Sequence, residues 1–421
     1  MARALPALRH NLDVMPSPVE GRPGMLLRDP FRYADDMLIV PPPLVPFLRF
    51  FDGEHDEGDL RLALHRATGS LEVDGLVRHL TRALGRGFLA DEAFARLRDE
   101  RQRAFAEAPR REPAHAGSAY PAEAGPLGDA LRAFLEGAGE APETPAAPDR
   151  VFAIAAPHVS LEGGYRSYAA AYLALGPALA DRTFVVLGTS HYGEPERFGL
   201  TRKLYVTPFG TTAGDEAIVE RLARAGGDAA VRMEDYCHAV EHSIEFQVVF
   251  LQDLYGAGVR VVPILCGPFA RATSGDGRPE DDEGVRRFLD ALGELAAREG
   301  DRLAWVLGVD LAHVGPRYGG AEAVRAGEGE MALVADRDRA RLDRIVAGDA
   351  DGFWALVQEN ADDLNWCGAS PFYTFLKAVA PPAGRLLRYE QWNIDPESVV
   401  SFAGLAFGRG PAAGSSRKGE A

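Results

Sequence analysis

The chain has little cysteine, which excludes one common way of stabilising a fold. Its 421 residues include 3 cysteines, at Cys237, Cys266 and Cys367. So sparse and odd a set does not build a disulfide framework. It suits a reducing compartment, where a thiol is either a small apolar side chain or a metal ligand. We therefore expect a cytoplasmic protein.

The sequence also lacks long apolar runs and an excess of basic charge. No run approaches the ~20 apolar residues that cross a bilayer, and residues 1–21 have no continuous apolar segment typical of a signal peptide. The 62 acidic residues outnumber the 46 lysines and arginines, which gives a net charge of −16. Because phosphate backbones and anionic lipids bind basic surfaces, we expect neither a nucleic acid nor a membrane as a partner.

What is present suffices for a large folded protein. Hydrophobic residues make up 46% and charged residues 26% of the chain, values typical of globular proteins. The length favours two domains, or one large α/β domain with an appendage. We predict a flexible lead over residues 1–24, an Ala/Pro/Glu-rich loop or linker over 138–150 and a disordered tail over 409–421.

Residues 25–110 predict a small α+β module. The segments "GMLLRDP" and "DDMLIVPPP" are typical of short strands that end at prolines, and three helical segments follow them. This pattern is typical of a winged-helix-like or PqqD-like module. It contains no cluster of catalytic residue types, so we interpret it as a binding or docking domain.

Beyond the linker, strands and helices alternate. Continuous apolar segments such as "RVFAIAAPH", "RTFVVLGTSH" and "VRVVPILCG" are separated by amphipathic helical segments. This alternation predicts an α/β domain with a mostly parallel sheet that helices cover on both faces.

Several of these strands end on side chains that can bind metals. "AAPHVSLEGGY" places His158 at the end of one strand, "VVLGTSHYG" places His191 at the end of another, and "LGVDLAH" ends a third with Asp310 and His313. The carboxyl ends of parallel strands meet at one edge of a sheet, where α/β proteins build their sites. We therefore expect these side chains to lie close together.

Two further motifs belong to the same set. "VEHSIE" is predicted to open a helix with His242 and Glu245 on one face. "NWCGAS" places Cys367 in a Gly-containing turn before a helix whose dipole would favour the thiolate. Cys237, in "EDYCHAVEH", is the alternative thiol ligand, whereas Cys266 ends the apolar strand "VVPILC" and is expected to pack.

Each of these residues alone also has an ordinary structural explanation. A histidine at a strand end is usually a hydrogen-bonded polar residue, a buried cysteine usually packs as a small hydrophobe, and Glu245 can assist a helix N-terminus. Taken together, however, two imidazoles and one thiolate predict a three-ligand metal site with an open position for water or substrate.

The motifs occur in the order seen in the Memo-like family, also called AmmeMemoRadiSam system protein B. The resemblance begins at "AHAGSAYPAEAGPLGDALRAFL", continues through "TPFGTTAGDEAIVERL", "VEHSIEFQVVFLQ" and "LGVDLAHVGPRYG", and covers residues 112–408. It implies a three-layer αβα domain similar to class III extradiol ring-cleaving dioxygenases. It also implies the metal ligands His158, His191 and Cys367 and the further cleft residues His242, Asp310 and His313.

The resemblance leaves the reaction open, because one fold hosts many functions. The loop "PHVSLEGGY" is longer than the "PHAGY"-type loop of many members, which leaves His158 in place but alters the pocket beside it. His242 is a candidate general acid or base, or a supporting contact. Asp310 and His313 either orient or protonate a metal-bound species, or form a supporting hydrogen-bonded pair.

Three functions follow as hypotheses. The first is a metal-dependent oxidoreductase of dioxygenase ancestry that acts on an unknown small molecule or modified peptide, with iron or copper as the favoured metal. A thiolate in place of the carboxylate of ring-cleaving iron enzymes makes the site softer. The second is a zinc-type hydrolase. The third is a non-enzymatic metal-binding or docking protein. The name of the family's system implies a radical SAM protein as a partner.

Overall fold

The computed structural model describes residues 4–17, 19–34, 37–137 and 151–408. The chain divides into two compact units after Glu107. The predicted linker over residues 138–150 and the predicted tail over residues 409–421 lie outside the described residues. Among the described residues, no helix combines the length and the apolar content needed to span a bilayer.

The first unit combines a three-stranded antiparallel sheet with three α-helices. Its elements are β1 (Asp13–Pro16), β2 (Met25–Arg28), β3 (Leu38–Val40), a 3-10 helix (Pro42–Phe50), α1 (Glu57–Thr68), α2 (Asp74–Leu84) and α3 (Glu92–Glu107). The Asp56 carboxylate accepts backbone N–H groups at the start of α1, and Gly69 ends this helix in the left-handed conformation. Leu60 and Leu64, four residues apart, face the unit's apolar core.

The stretch predicted as a flexible lead contributes to this unit. Residues 13–16 form β1 and pair with β2, and Leu5 is buried. The Arg9 guanidinium lies 2.8 Å from the Asp29 carboxylate, with both side chains buried, and 3.9 Å from the centre of the Phe94 ring. A buried ion pair requires a fixed geometry. The described part of residues 1–24 therefore differs from the predicted lead.

The second unit is a mixed α/β domain built on a ten-stranded sheet. Its strands are β4 (Arg110–Arg111), β5 (Val151–Ala156), β6 (Thr183–Thr189), β7 (Phe198–Leu200), β8 (Leu204–Thr207), β9 (Gly210–Thr211), β10 (Ala213–Gly214), β11 (Val231–Met233), β12 (Arg260–Cys266), β13 (Leu303–Gly308), β14 (His313–Val314), β15 (Gly384–Asp395) and β16 (Ser398–Gly408). The order across the sheet is β11-β7-β12-β6-β13-β5-β16-β14, with β10 beside β12 and β15 beside β16, while β4, β8 and β9 form a separate small sheet.

The helices of this unit follow the predicted alternation. They are α4 (Ala124–Gly137), α5 (Leu161–Tyr172), α6 (Glu216–Ala230), α7 (Cys237–Val240), α8 (Glu245–Tyr255), α9 (Ala270–Ser274), α10 (Glu283–Glu299), α11 (Glu330–Val346), α12 (Ala350–Gln358) and α13 (Ala369–Val379). Short 3-10 helices span Pro177–Leu179, Pro279–Asp281, Gly300–Arg302, Pro316–Tyr318 and Glu359–Ala361.

Helices cover both faces of the sheet. The central strands β12, β6, β13 and β5 run parallel, and successive side chains of β6 point to opposite faces. Val185 joins the apolar core with Leu222 of α6 and Leu292 of α10. On the other face, the Phe184 ring lies 5.2 Å from the ring of Tyr255 in α8. The prediction of an α/β fold with a mostly parallel sheet is confirmed.

One long strand escaped sequence analysis. β15 pairs antiparallel with β16 along most of its length, with two register shifts. Its sequence "GRLLRYEQWNID" alternates poorly between apolar and polar residues, and most of its side chains are half-buried. β15 forms a strand because it pairs with β16 beside the main strand order. The distribution of apolar residues in its own sequence does not indicate this strand.

Candidate metal site

The site lies where three neighbouring parallel strands end at the same level. Gly308 of β13 is in register with Ala156 of β5 and with Gly188 of β6. Two or three residues beyond these positions, each segment carries a polar side chain: Asp310, His158 and His191. Strand β13 thus ends two residues before Asp310. His313 lies on β14, which pairs with β16. The prediction that His313 ends β13 is corrected on this point.

Three imidazoles face one another at this edge. The ring centres lie 4.9 Å apart for His158 and His191, 5.1 Å for His158 and His242, and 5.0 Å for His191 and His242. One ring nitrogen of each residue lies within 4.8 Å of those of the other two. A tetrahedral ion with bonds of ~2.1 Å needs about 3.4 Å between ligand nitrogens. Small side-chain movements would therefore let these residues bind one ion.

His242 reaches this cluster from the loop between α7 and α8. The sequence predicted that His242 and Glu245 share a helical face. Helix α8 begins only at Glu245, so His242 precedes the helix and that prediction is corrected. A Cβ atom at Gly308 would collide with the Ser243 carbonyl oxygen. The missing side chain therefore lets the loop approach the strand ends, where the Ser243 hydroxyl donates to the Thr189 carbonyl at 2.7 Å.

The turn that carries Cys367 packs against the same strand ends. Cys367 Sγ lies 3.4 Å from His158 Nε2 and 3.6 Å from the Asp310 carbonyl oxygen. The Gly368 amide donates to that oxygen at 3.0 Å, and the Thr189 hydroxyl donates to the Cys367 carbonyl at 3.0 Å. A Cβ atom at Gly368 would lie 2.6 Å from the Asp310 oxygen, so glycine is required for this approach.

His158 is buried and neutral. Its Nδ1 donates to the Gly308 carbonyl at 3.0 Å, and its backbone amide donates to Asp310 Oδ1 at 2.9 Å. Burial, together with the neighbouring imidazoles of His191 and His242, holds the pKa of His158 well below its usual range. The Nε2 lone pair is therefore available, as a metal ligand requires.

A carboxylate that sequence analysis missed links the other two imidazoles. Glu241 Oε1 lies 3.0 Å from His191 Nδ1 and 3.1 Å from His242 Nδ1. Burial raises the pKa of Glu241, but the two imidazoles outweigh this effect and hold it well below its usual range. The only signal in the sequence was the position of Glu241 next to His242 in "VEHSIE".

The pKa values of His191 and Cys367 are both raised, so a metal ion would have to displace a proton from each side chain. Burial opposes the charged form of His191, yet Glu241 and Cys367 raise its pKa well above the usual range. Burial also raises the pKa of Cys367, although His191 opposes this. The helix position of Cys367 therefore does not by itself produce a thiolate, contrary to expectation. A cation at the site would supply the positive charge that a thiolate needs.

Asp310 and His313 lie at the same edge. Burial raises the pKa of Asp310, while His313 and the amides of His158 and Val159 oppose this change. The Nδ1 of His313 donates to the Leu311 carbonyl at 2.9 Å, and its ring centre lies 4.8 Å from that of Tyr318. Burial lowers the pKa of His313 to about 4, so this imidazole is neutral near pH 7.

Glu245 serves a separate buried network. It forms an ion pair with Arg111, accepts the His115 amide at 3.0 Å, and accepts the Tyr120 hydroxyl. The His115 ring lies 5.6 Å from that of His242. His115 lies more than a hundred residues before His242 in the chain, so local sequence patterns do not connect the two residues.

The two remaining cysteines are poor candidates for ligands. Cys237 is buried at the start of α7, and burial together with Asp235 raises its thiol pKa. Cys266 packs in the main apolar core, as predicted, and burial raises its pKa to about 12. The thiol that contacts the imidazole cluster is that of Cys367.

The fold and these contacts define a class: an α/β protein with clustered imidazoles and a thiol at the carboxyl edge of its sheet. The family model described as Memo-like protein matches residues 111–406. The chain belongs to this family.

Curated relatives carry the name "MEMO1 family protein". The one from Aquifex aeolicus is 26% identical over 91% of this chain and 95% of its own length. Those from Methanopyrus kandleri and Pyrococcus horikoshii are 27% and 26% identical over 71% of this chain and cover 99% and 100% of their own lengths. The second unit alone is too short to account for the Aquifex match, which therefore extends into the first unit.

Proposed function

We propose that this chain is a metal-dependent oxidoreductase of dioxygenase ancestry that acts on a small molecule or a modified peptide. One observation carries the proposal: the Cys367 thiol lies 3.4 Å from Nε2 of the neutral His158. A thiolate with imidazoles is a soft to borderline ligand set that suits copper, iron or zinc. Iron or copper is the metal we favour.

In this proposal His158, His191 and Cys367 hold one ion, which would supply redox or Lewis-acid chemistry. The His158 side chain is only 2% exposed, whereas those of His191 and His242 are 26% and 31% exposed. Because a general acid or base must reach the substrate, the exposure of His242 supports that role. Asp310 holds the His158 amide and His313 lies beside Tyr318, so both belong to the surroundings of the site.

Metal content after anaerobic purification tests the proposal. Iron or copper at one ion per chain would support the redox function, and zinc would favour hydrolysis. Cys367→Ala should weaken metal binding by at least ~10-fold, the lower end of the effect of even supporting residues, whereas Cys266→Ala should bind as the parent does. His242→Ala should keep its metal and lose any activity. If Cys367→Ala binds metal normally, the ligand set is wrong.

A zinc-type hydrolase is the second candidate. Three imidazoles with ring centres about 5 Å apart resemble the His₃ set of some catalytic zinc sites, where the ion lowers the pKa of a bound water. In that case His242 would be a ligand. Loss of metal from His242→Ala, with zinc as the native ion, would support this function and overturn the first.

The third candidate is a docking role for the first unit. Two archaeal relatives are almost fully covered by 71% of this chain, so the matched domain also exists without so long an N-terminal part. We propose that residues 25–110 recognise a partner, with a radical SAM protein as the candidate. Binding of that protein by the full chain, and not by a chain that starts at Ala108, is the expected result.

A further inference from the structure

We propose that Glu241 is a positioning residue that orients two imidazoles of the cluster at once and thereby sets how tightly the site holds a metal ion. This inference rests on the proposed function, since it concerns the same site. It adds a residue outside the ligand set given above.

The geometry of the carboxylate carries the first step. A single oxygen, Oε1, is within 3.1 Å of Nδ1 of both His191 and His242. The two rings are nearly parallel, with 9° between their planes and 5.0 Å between their centres. When Nδ1–H of His191 donates to the carboxylate, the lone pair of this ring is on Nε2, and the approach of Oε1 to Nδ1 of His242 favours the same tautomer in that ring. Glu241 therefore fixes the tautomer and the orientation of both rings together.

The anchoring of Glu241 carries the second step. The residue is 1% exposed, so water cannot replace a lost contact. Its carboxylate accepts the backbone amides of His191, His242 and Ser243 at 2.9, 2.8 and 3.2 Å. Its own backbone is held too, because the Glu241 carbonyl accepts Arg111 Nη2 at 2.8 Å. A carboxylate held on this many sides has little freedom to follow a displaced imidazole.

The contrast with His158 carries the third step. The Nδ1 of His158 donates to a neutral carbonyl, that of Gly308, whereas His191 and His242 share a negative charge. A carboxylate partner makes an imidazole a stronger donor to a metal than a carbonyl partner does. The orientation of the proposed ligand His191 and of its neighbour His242 therefore depends on one side chain.

Glutamine cannot replace Glu241. With its oxygen at the Oε1 position, its NH₂ group would face the His191 amide, which is itself a donor. With the oxygen at the Oε2 position, the NH₂ group would face the amides of His242 and Ser243 and both ring nitrogens. Either orientation sets donor against donor and removes the charge. Aspartate keeps the charge but is one methylene shorter, which prevents it from reaching both rings.

Cobalt(II) titration of the metal-free full chain tests the inference, because absorption spectra of cobalt report the ligand field and a thiolate ligand separately. Glu241→Gln should weaken cobalt binding by 10- to 100-fold and shift the visible ligand-field bands. The thiolate-to-cobalt band should persist, since Cys367 is untouched. Glu241→Asp should fall between the parent and Glu241→Gln.

Glu234→Gln is the matched control. Glu234 also accepts a hydroxyl and a backbone amide, from Thr201 and Arg202, and pairs with Lys203, but it touches no imidazole of the cluster. This variant should match the parent in affinity and spectrum. If Glu234→Gln weakens binding as much as Glu241→Gln does, the effect is general destabilisation and the inference is overturned.

The remaining outcomes separate this inference from the proposed function. If the parent chain binds no cobalt, the metal site itself fails. If the parent binds cobalt and Glu241→Gln binds it with the same affinity and spectrum, the positioning role is wrong. Should Glu241→Gln not fold, as judged by circular dichroism, Glu241→Asp decides: an affinity and spectrum equal to those of the parent would overturn the inference.

Discussion

Replacing Arg111 by methionine should destabilise the second unit strongly. The Arg111 and Glu245 side chains are both fully buried and form an ion pair. Arg111 also donates to the carbonyls of His238 and Glu241 at 2.8 Å each, and its guanidinium lies 5.1 Å from the ring of Tyr205. Methionine fills part of the volume but leaves the Glu245 charge without its counterion.

The expected loss in the free energy of unfolding depends on the contacts that remain around Glu245 or Arg111 when the other is replaced. Breaking a buried pair by removing one member costs about 3–5 kcal/mol. Without Arg111, Glu245 keeps three donors, the amides of Ala114 and His115 and the Tyr120 hydroxyl, so we expect a loss near 3 kcal/mol. Glu245→Gln leaves Arg111 with two neutral carbonyls and no counterion, so we expect a loss nearer 5 kcal/mol.

Urea unfolding followed by tryptophan fluorescence isolates the relevant unit, because all 4 tryptophans, Trp305, Trp354, Trp366 and Trp392, lie in the second unit. The double variant Arg111→Met with Glu245→Gln should lose less than the sum of the two single variants, since it buries no unpaired charge. Arg110→Met, at an exposed neighbouring position, is the control and should change the free energy of unfolding little. Losses below 1 kcal/mol for both single variants, or strict additivity, would refute the reasoning.

Two other predictions concern folding and pH. A chain that starts at Ala108 should fold alone, whereas one that starts at Glu112 lacks Arg111 and should unfold at a lower urea concentration; equal midpoints would contradict the role given to Arg111. Burial lowers the pKa of His115, His238 and His313 from 6.5 to about 4. As the pH falls, these imidazoles therefore take up protons in the unfolded chain before they do so in the folded chain. Their contribution to the free energy of unfolding is complete above pH 6.5 and is lost as the pH approaches 4. The loss is roughly 3 kcal/mol per imidazole at most. Unfolding free energies between pH 7 and 4.5 measure this loss, and His238→Asn should flatten the slope; a slope that does not change in this variant would show that His238 is not the group concerned.

The sequence alone determined where on the fold the candidate site lies. Apolar segments of six or seven residues that stop at His158 and His191 describe buried parallel strands, and parallel strands bring their carboxyl ends to one edge. The choice of Cys367 as the candidate thiol ligand followed in the same way from local chemistry, because its turn is polar and contains glycine whereas Cys266 continues an apolar strand. The ends of strands and the polarity of a turn depend on neighbours within a few residues. The order of apolar and polar residues along the sequence therefore indicates them.

Tertiary structure decided which polar groups meet. Helical spacing predicted that Glu245 and His242 lie on one helical face, but α8 begins at Glu245. The Glu245 carboxylate instead forms an ion pair with Arg111. Glu241 contacts His191 and His242 in a loop that crosses the strand ends where Gly188 and Gly308 leave room for it. Hydrogen-bond partners far apart in sequence depend on the packing of loops against strands. The pattern of side chains along one segment does not record that packing, and so the sequence located the edge of the sheet but not the carboxylate that organises it.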